Sequence, residues 1–233
     1  MAERNFFWVG CPFLFLLISC AAPLTDIAPD YSFLKPTRIA VLPPMNETND
    51  LDAPQVFRIM AAAELADKGY NLVPFQQIDE ALRKKEIQEA GQLESLTSQE
   101  LGEITGADGL LYTRVMSYGR QMGVHLKMEG NFTLVNSRGG QKIWYSELSV
   151  SDDIVLEGGA VALGAELLLG KKGRDDFIKA YLAARLARQQ RAVAKFRFHP
   201  IRQEVFRTIT IDMDKIPLLD DFFSKNFKSL PSP

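Results

Sequence analysis

Cysteine and histidine are nearly missing from this chain. Its 233 residues include two cysteines, Cys11 and Cys20, and two histidines, His125 and His199. Nothing after residue 20 can therefore form a disulfide or a thiolate metal site, and a histidine-rich metal cluster is excluded by number. Motifs for nucleotide and calcium chemistry are missing too. Gly164 and Gly170-Lys171 fail as a phosphate loop, because five residues separate the glycines and Lys172 stands where a hydroxyl must hold magnesium. No D-x-D-x-D-G loop and no G-x-S-x-G elbow occurs. Net charge is small, 27 basic against 29 acidic side chains, and 46% of the residues are hydrophobic. Those averages exclude collagen-like, disordered and polytopic membrane classes.

Long apolar runs are equally scarce. Phe6–Ile18 is a run of thirteen mostly apolar residues, and the tail Lys215–Pro233 holds none long enough to span a bilayer. A secretory leader needs roughly 7–15 apolar residues and a spanning helix about 20, so the first run reads as a signal peptide over residues 1–19. It ends Leu17-Ile18-Ser19-Cys20, which looks like a bacterial lipobox. Cys20 would become the lipidated N-terminus, and Ala21-Ala22, with no aspartate beside the cysteine, resembles outer-membrane sorting. Residues 20–37 contain three prolines and little periodicity and are expected to be a tether, followed by one α/β domain over 38–213 and a tail over 214–233.

The strand and helix signals follow. Ile39–Leu42 is a continuous apolar run closed by Pro43-Pro44, as expected of a strand buried on both faces. Asp52 is placed to cap a helix carrying Pro54, Val56, Ile59, Met60 and Ala63 and closed by Gly69. Tyr70–Val73 reads as a strand, Ile78–Lys85 as a helix, and Thr97-Ser98-Gln99-Glu100 as a capping box before a helix ending at Gly106. Leu110–Tyr118 is a third strand. In the fourth, Val124, Leu126, Met128, Phe132 and Leu134 alternate with His125, Lys127, Glu129, Asn131 and Thr133, the pattern of a half-solvated sheet. Asn136–Gly140 turns the chain into a fifth strand, Ile143–Val150. The expected class is α/β, a mixed sheet of about five strands with an antiparallel meander and flanking helices. Asp175–Phe196 is a long helix, and Phe206–Met213 a further candidate strand.

Two features remain as candidate interaction sites. The polar loop Asn46, Glu47, Thr48, Asn49, Asp50 follows the central strand, at the carboxyl end where open α/β sheets bind ligands; helix capping alone would also select such residues. Residues 171–202 carry ten basic side chains against two acidic ones, +8 in a chain of −2, so the remainder is −10. Arg185, Arg188, Arg191 and Lys195 share one side of the helix. Either this is a solvated face, or it meets an anionic envelope component or an acidic protein. His125 and His199 read as surface or cap histidines, and no catalytic set, metal or cofactor is expected.

The order DYSFLKPTRIAVLPPMNET, ELADKGYNLVP, ITGADGLLYTRVMSYG and KIWYSELSVSD resembles a proteobacterial lipoprotein family of unknown function that includes a neisserial surface antigen. Asp30-Tyr31-Ser32, Ile39–Pro44, Gly69–Pro74 and Gly106–Tyr112 carry the resemblance, with His199-Pro200 as its closing motif. Members are similar in fold to the N-terminal domain of TolB, to LpoB-type activators of peptidoglycan synthases, and to the periplasmic domain of CsgG. The resemblance implies an envelope location and a binding or transport role, and supplies no catalytic residues. Two departures stand out: Lys195-Phe196-Arg197-Phe198 replaces the family's usual glycine and proline, and the chain continues more than thirty residues past His199. The expected protein is a non-enzymatic outer-membrane lipoprotein whose domain faces the periplasm, with a surface-facing orientation left open. It would be an adaptor or binding module with an unidentified envelope partner and no nucleic acid. The alternatives are an LpoB-like synthase activator and a CsgG-like homo-oligomer in which Gly158–Gly170 helps line or insert into a membrane; the role of Gly158–Gly173 as a whole stays open.

Overall fold

The computed structural model describes residues 22–121, 125–209, 211 and 213–233. The leader and Cys20 lie outside the described residues, as does Val124. Residues form a mixed sheet in the order β1-β7-β6-β5-β2-β4, with β3 pairing β5. All five expected strands are present: β2 (Arg38–Val41), β4 (Asn71–Leu72), β5 (Gly109–Gln121), β6 (His125–Asn136) and β7 (Lys142–Asp153). Two short ones join them, β1 (Leu24–Ile27) and β3 (Met45–Asn46). β2 runs parallel to β4 and β5, whereas β5, β6 and β7 form the antiparallel meander.

β2 shows why a continuous apolar run is needed here. Ile39 and Val41 enter a core beneath α2 (Ala53–Asp67), while Ala40 and Leu42 enter a second core beneath α3 (Phe75–Lys84) and α4 (Ser98–Thr105). The middle strand of the meander, β6, is covered chiefly on one face. Leu126, Met128, Phe132 and Leu134 are buried against α2 and the C-terminal helix, and Lys127, Glu129, Asn131 and Thr133 line the other, partly exposed face. Gly130 sits where a Cβ would meet Arg114 O at 2.7 Å and the Phe57 ring at 3.0 Å. The missing side chain lets Phe57 stack at 6.4 Å on Phe132.

Helix ends follow local chemistry. Thr97 Oγ1 accepts the Glu100 N–H at 3.2 Å, Glu100 Oε2 accepts the Thr97 N–H at 2.8 Å, and Gly106 closes α4 in the left-handed region at φ 70°. At α2 the expectation is corrected. Asp50, not Asp52, caps the helix, its Oδ1 accepting from Asp52 N (3.0 Å) and Ala53 N (3.2 Å). Asp52 already has helical backbone angles, so its own carboxylate cannot turn back onto the first turn.

The Gly106–Tyr112 stretch has a physical basis in Asp108. Its carboxylate accepts from Thr37 N (3.0 Å), Thr37 Oγ1 (2.6 Å) and Arg38 N (2.7 Å), which fixes the start of β2 beside β5. Burial pushes this carboxyl up, but the bonds from Thr37 and Arg38 outweigh it and hold it below the ordinary aspartate value. A lowered folded pKa contributes stability that is present above the unfolded value near 4 and lost as pH falls through the folded one. Asp108→Asn is therefore expected to cost about 1–2 kcal/mol at neutral pH, with solvent screening holding it to that range. Acid titration of the melting temperature checks it: the wild-type advantage should shrink below pH 4, and a constant difference down to pH 2 would refute the assignment.

Three boundaries differ from expectation. The segment 20–37 is not all tether. Leu24–Ile27 pairs antiparallel with β7, and Tyr31 is buried in the short helix α1 (Tyr31–Leu34), its hydroxyl bonded to that of Tyr70. Phe206–Met213 is not a strand, because Gln203–Thr208 forms helix α6 and β1 already occupies the sheet edge beside β7. The tail 214–233 is not peripheral either. Ile216–Phe227 is helix α7, and Ile216, Leu219, Phe222, Phe223 and Phe227 are fully buried against α2 and the meander. Leu219, Phe222, Phe223 and Phe227, at i, i+3, i+4 and i+8, read as scattered until the sheet face that they cover is seen. Between these elements α5 (Ile154–Phe198) is a long helix broken at Gly170, where φ is 71° and ψ −178°.

Candidate functional site

The polar loop after β2 and β3 is occupied with its own backbone. Asn46 Oδ1 accepts from Thr48 N (3.0 Å) and Thr48 Oγ1 (2.8 Å), Asn46 Nδ2 donates to Asp50 O (3.0 Å), and Asp50 N donates to Thr48 Oγ1 (3.1 Å). Glu47 pairs with Arg114 at 2.7 Å and Asp50 with Lys215 at 3.3 Å, leaving Asn49 at the exposed tip. These residues shape a wall rather than offer loose ligating groups. Beside them a cleft of about 430 Å³ opens between Pro43, Pro44, Asn46, Leu51 and Arg58. It lies beyond the carboxyl end of β2, where the strand order predicts a ligand crevice. Arg58 is buried there, donating to Val41 O (3.0 Å) and pairing with Asp79 (2.8 Å). A larger cleft, about 480 Å³, lies at the opposite end between Thr37, Arg38, Glu103, Asp108 and Arg138. Its central carboxylate is already used by Thr37 and Arg38.

The basic row is divided by the structure. Arg188 and Lys195 face α7, pairing with Asp221 at 3.8 Å and Asp220 at 2.7 Å. Arg191 Nε donates to Ala187 O at 3.3 Å, and Arg185 is half-exposed. The Asp220-Asp221 pair thus serves as the internal counter-charge to half of the row, which therefore presents less free positive charge than its sequence implies.

That contact extends into a buried network that sequence reasoning missed. Arg202 is fully buried, and its guanidinium reaches Glu64 (2.7 Å), Asp67 (3.0 Å) and Asp220 (3.3 Å). His199 Nδ1 accepts the N–H groups of Ile201 and Arg202, both at 3.1 Å, so the ring proton sits on Nε2, 2.9 Å from Asp67. His199 is accordingly a cap histidine. Burial raises the Glu64 carboxyl above its ordinary value, with Arg202 and Lys195 pulling the other way. The network clasps α2, the end of α5 and α7 together. No sequence motif joins Glu64 to Arg202, 138 positions apart, although an arginine two residues after a His-Pro cap is the one signal at hand. Among the described residues no group of three or more His, Cys, Asp or Glu side chains is arranged to hold a metal.

A family model described as putative lipoprotein GNA1162-like matches residues 29–165, more than half of the chain. The chain belongs to the GNA1162-like family. The matched part runs from just before α1 into α5, so Arg202, His199-Pro200 and α7 lie beyond it, whereas the clasp residues Glu64 and Asp67 lie within it. A relative, the putative lipoprotein NMB1124/NMB1162 of Neisseria meningitidis serogroup B (strain ATCC BAA-335 / MC58), is 26% identical over 144 residues, covering 58% of this chain and 67% of the relative. Among solved structures, the crystal structure of lipoprotein GNA1162 from Neisseria meningitidis is 25% identical with a TM-score of 0.47, over 58% of this chain and 99% of that one. The PelC dodecamer from Paraburkholderia phytofirmans is 17% identical with a TM-score of 0.39, over 56% of this chain and 81% of that one. The LpoB C-terminal domain from Escherichia coli is 22% identical with a TM-score of 0.36, over 50% and 83%. The family name describes its members as putative lipoproteins.

Proposed function

We propose that this GNA1162-like chain is a non-enzymatic outer-membrane lipoprotein, anchored by lipid on Cys20, whose domain works in the periplasm as an adaptor close to the membrane. The observation that carries this reading is where the chain enters the sheet. Leu24 is already paired with Glu147, so only four peptide steps separate it from Cys20. At about 3.5 Å per residue that is a reach of roughly 14 Å, far less than the full segment to residue 37 would give. A domain so tethered meets partners at the membrane, and an LpoB-like reach to a distant synthase fits less well. The cleft beside Asn46 and Leu51, with Leu51 90% exposed, is the surface we assign to a protein partner. The clasp residues are structural, which is why no reaction is assigned.

Cys20→Ala is the test. The variant is expected to remain unprocessed and to lose incorporation of radioactive palmitate, and cross-linked cells should then yield none of the envelope protein recovered with wild type. Unchanged palmitate labelling would remove the anchor, and recovery of only abundant porins by the wild-type chain would remove the adaptor role.

A further inference from the structure

The anchor and α5 leave the domain at the same end. β1 is antiparallel to β7, with Leu24 opposite Glu147 and Ile27 opposite Trp144, so the chain toward Cys20 runs in the direction of Asp153, the last residue of β7. Six strand residues from Glu147 to Asp153 cover about 20 Å, and the four steps to Cys20 cover up to roughly 14 Å. The lipid on Cys20, which is the reading above on which this inference rests, would therefore sit close to the level at which α5 begins.

The described side chains of α5 from Leu167 up to Arg191 are exposed or partly exposed. Among its described side chains the first to be buried is Ala192, and Arg188 pairs with Asp221 of α7. Residues 154–169 comprise eleven aliphatic residues, three glycines and two charges, Glu157 and Glu166. That stretch spans about 24 Å as a helix, and no helix among the described residues is long and apolar enough to cross a membrane. Leu167, near its end, is 81% exposed. After the break at Gly170 the pattern becomes amphipathic. At 100° per residue Ile178, Leu182 and Leu186 form one stripe, flanked by Lys172 and Lys179, while Arg188 and Lys195 turn to α7 on the other side. Leu182 and Leu186 are more than half exposed, and Lys171, Lys172 and Lys179 are exposed beside them.

We propose that residues 154–187 form an arm that lies on the anionic phospholipid surface holding the Cys20 lipid. Leu167, Leu182 and Leu186 enter the interface, and Lys171, Lys172 and Lys179 meet lipid phosphates. Position and charge both select this occupant. The arm starts at the anchor's level, and its apolar stripe is bordered by lysines, which a second parallel copy would set against lysines. The arm fixes the orientation of a domain that a tether of only four residues would leave free to rotate.

The test has two parts. Lipidated protein in vesicles of phosphatidylethanolamine and phosphatidylglycerol, carrying an environment-sensitive dye at Leu182→Cys, should shift to the blue and be quenched by brominated lipid several-fold more than with the dye at Arg138→Cys, in the hairpin at the opposite end. Equal quenching at both positions overturns the arm, and thiol cross-linking of Leu182→Cys between copies in place of lipid quenching assigns the stripe to a second copy. Independently of lipidation, unacylated Cys20→Ser chain lacking the leader should bind phosphatidylglycerol vesicles. K171E/K172E/K179E should weaken that binding on the order of 100-fold, roughly fivefold per lysine near the surface, with an unchanged melting temperature. Binding insensitive to these charges overturns the proposal, whereas absence of acyl mass on Cys20 from cells would overturn the anchor alone.

Discussion

A chain ending at Met213 is expected not to fold. Removing residues 214–233 strips Ile216, Leu219, Phe222, Phe223 and Phe227, each fully buried, from the sheet face that they cover. Phe57 packs at 5.2–5.4 Å from Phe222 and Phe223, Phe132 at 4.9 Å from Phe227, and Trp144 at 5.3 Å from Phe227. A single buried phenylalanine truncated to alanine costs about 3–5 kcal/mol, and a domain has about 5–15 kcal/mol in all. Losing five such residues exceeds that margin. The truncated chain should show no cooperative thermal transition by circular dichroism and rapid proteolysis within α2 and β6. A soluble product that melts within a few degrees of wild type would show that α7 is dispensable. Within the intact chain, Phe223→Ala should lower stability by the single-residue amount.

The second large effect belongs to the clasp. Arg202→Met is expected to destabilise the domain by about 3–5 kcal/mol, because it leaves Glu64, Asp67 and Asp220 converging on a site that has lost its central positive charge. The pH dependence has a definite sign. Glu64 is raised already in wild type, burial being the main cause. A carboxyl with a raised folded pKa favours the fold below its unfolded value near 4.5, and that contribution is lost as pH rises through the folded value. Without Arg202 the Glu64 carboxyl should rise further, so the variant's deficit should be largest near neutral pH and shrink toward pH 5. Melting temperatures at pH 5 and 7.5 check the sign. Glu64→Gln in the Arg202→Met background should recover part of the loss, since it removes the uncompensated carboxylate, and strict additivity of the two substitutions would exclude the coupling. Lys195 and the His199 cap, both bonded to the same acidic set, explain why a basic stretch of sequence lies against an acidic part of the surface.

How far the sequence could be read depended on the range of the interaction. The burial of β2 on both faces, the alternation of Leu126, Met128, Phe132 and Leu134, and the Thr97–Glu100 box each involve neighbours within one element, and each matches the structure. Asp50 in place of Asp52 as the cap of α2 is a local competition that composition leaves undecided, because either carboxylate suits the position. Of the candidate site residues, Asn46–Asp50 were found from their place after the central strand, but their side chains prove to be engaged in the loop itself. Arg188 and Lys195 were recognised as a basic row, but nothing in the sequence links them to their partners Asp221 and Asp220.

By itself the amino-acid sequence pointed to a lipoprotein family and determined the class of fold, because both depend on runs, motifs and periods contained in short windows. Tertiary structure alone decided that Leu24–Ile27 is an edge strand paired with β7, that residues 216–227 complete the core, and that Arg202 is clasped by Glu64, Asp67 and Asp220. A periodic pattern specifies that a face must be covered, but what covers it comes from residues over a hundred positions away. Only the folded chain brings those into reach.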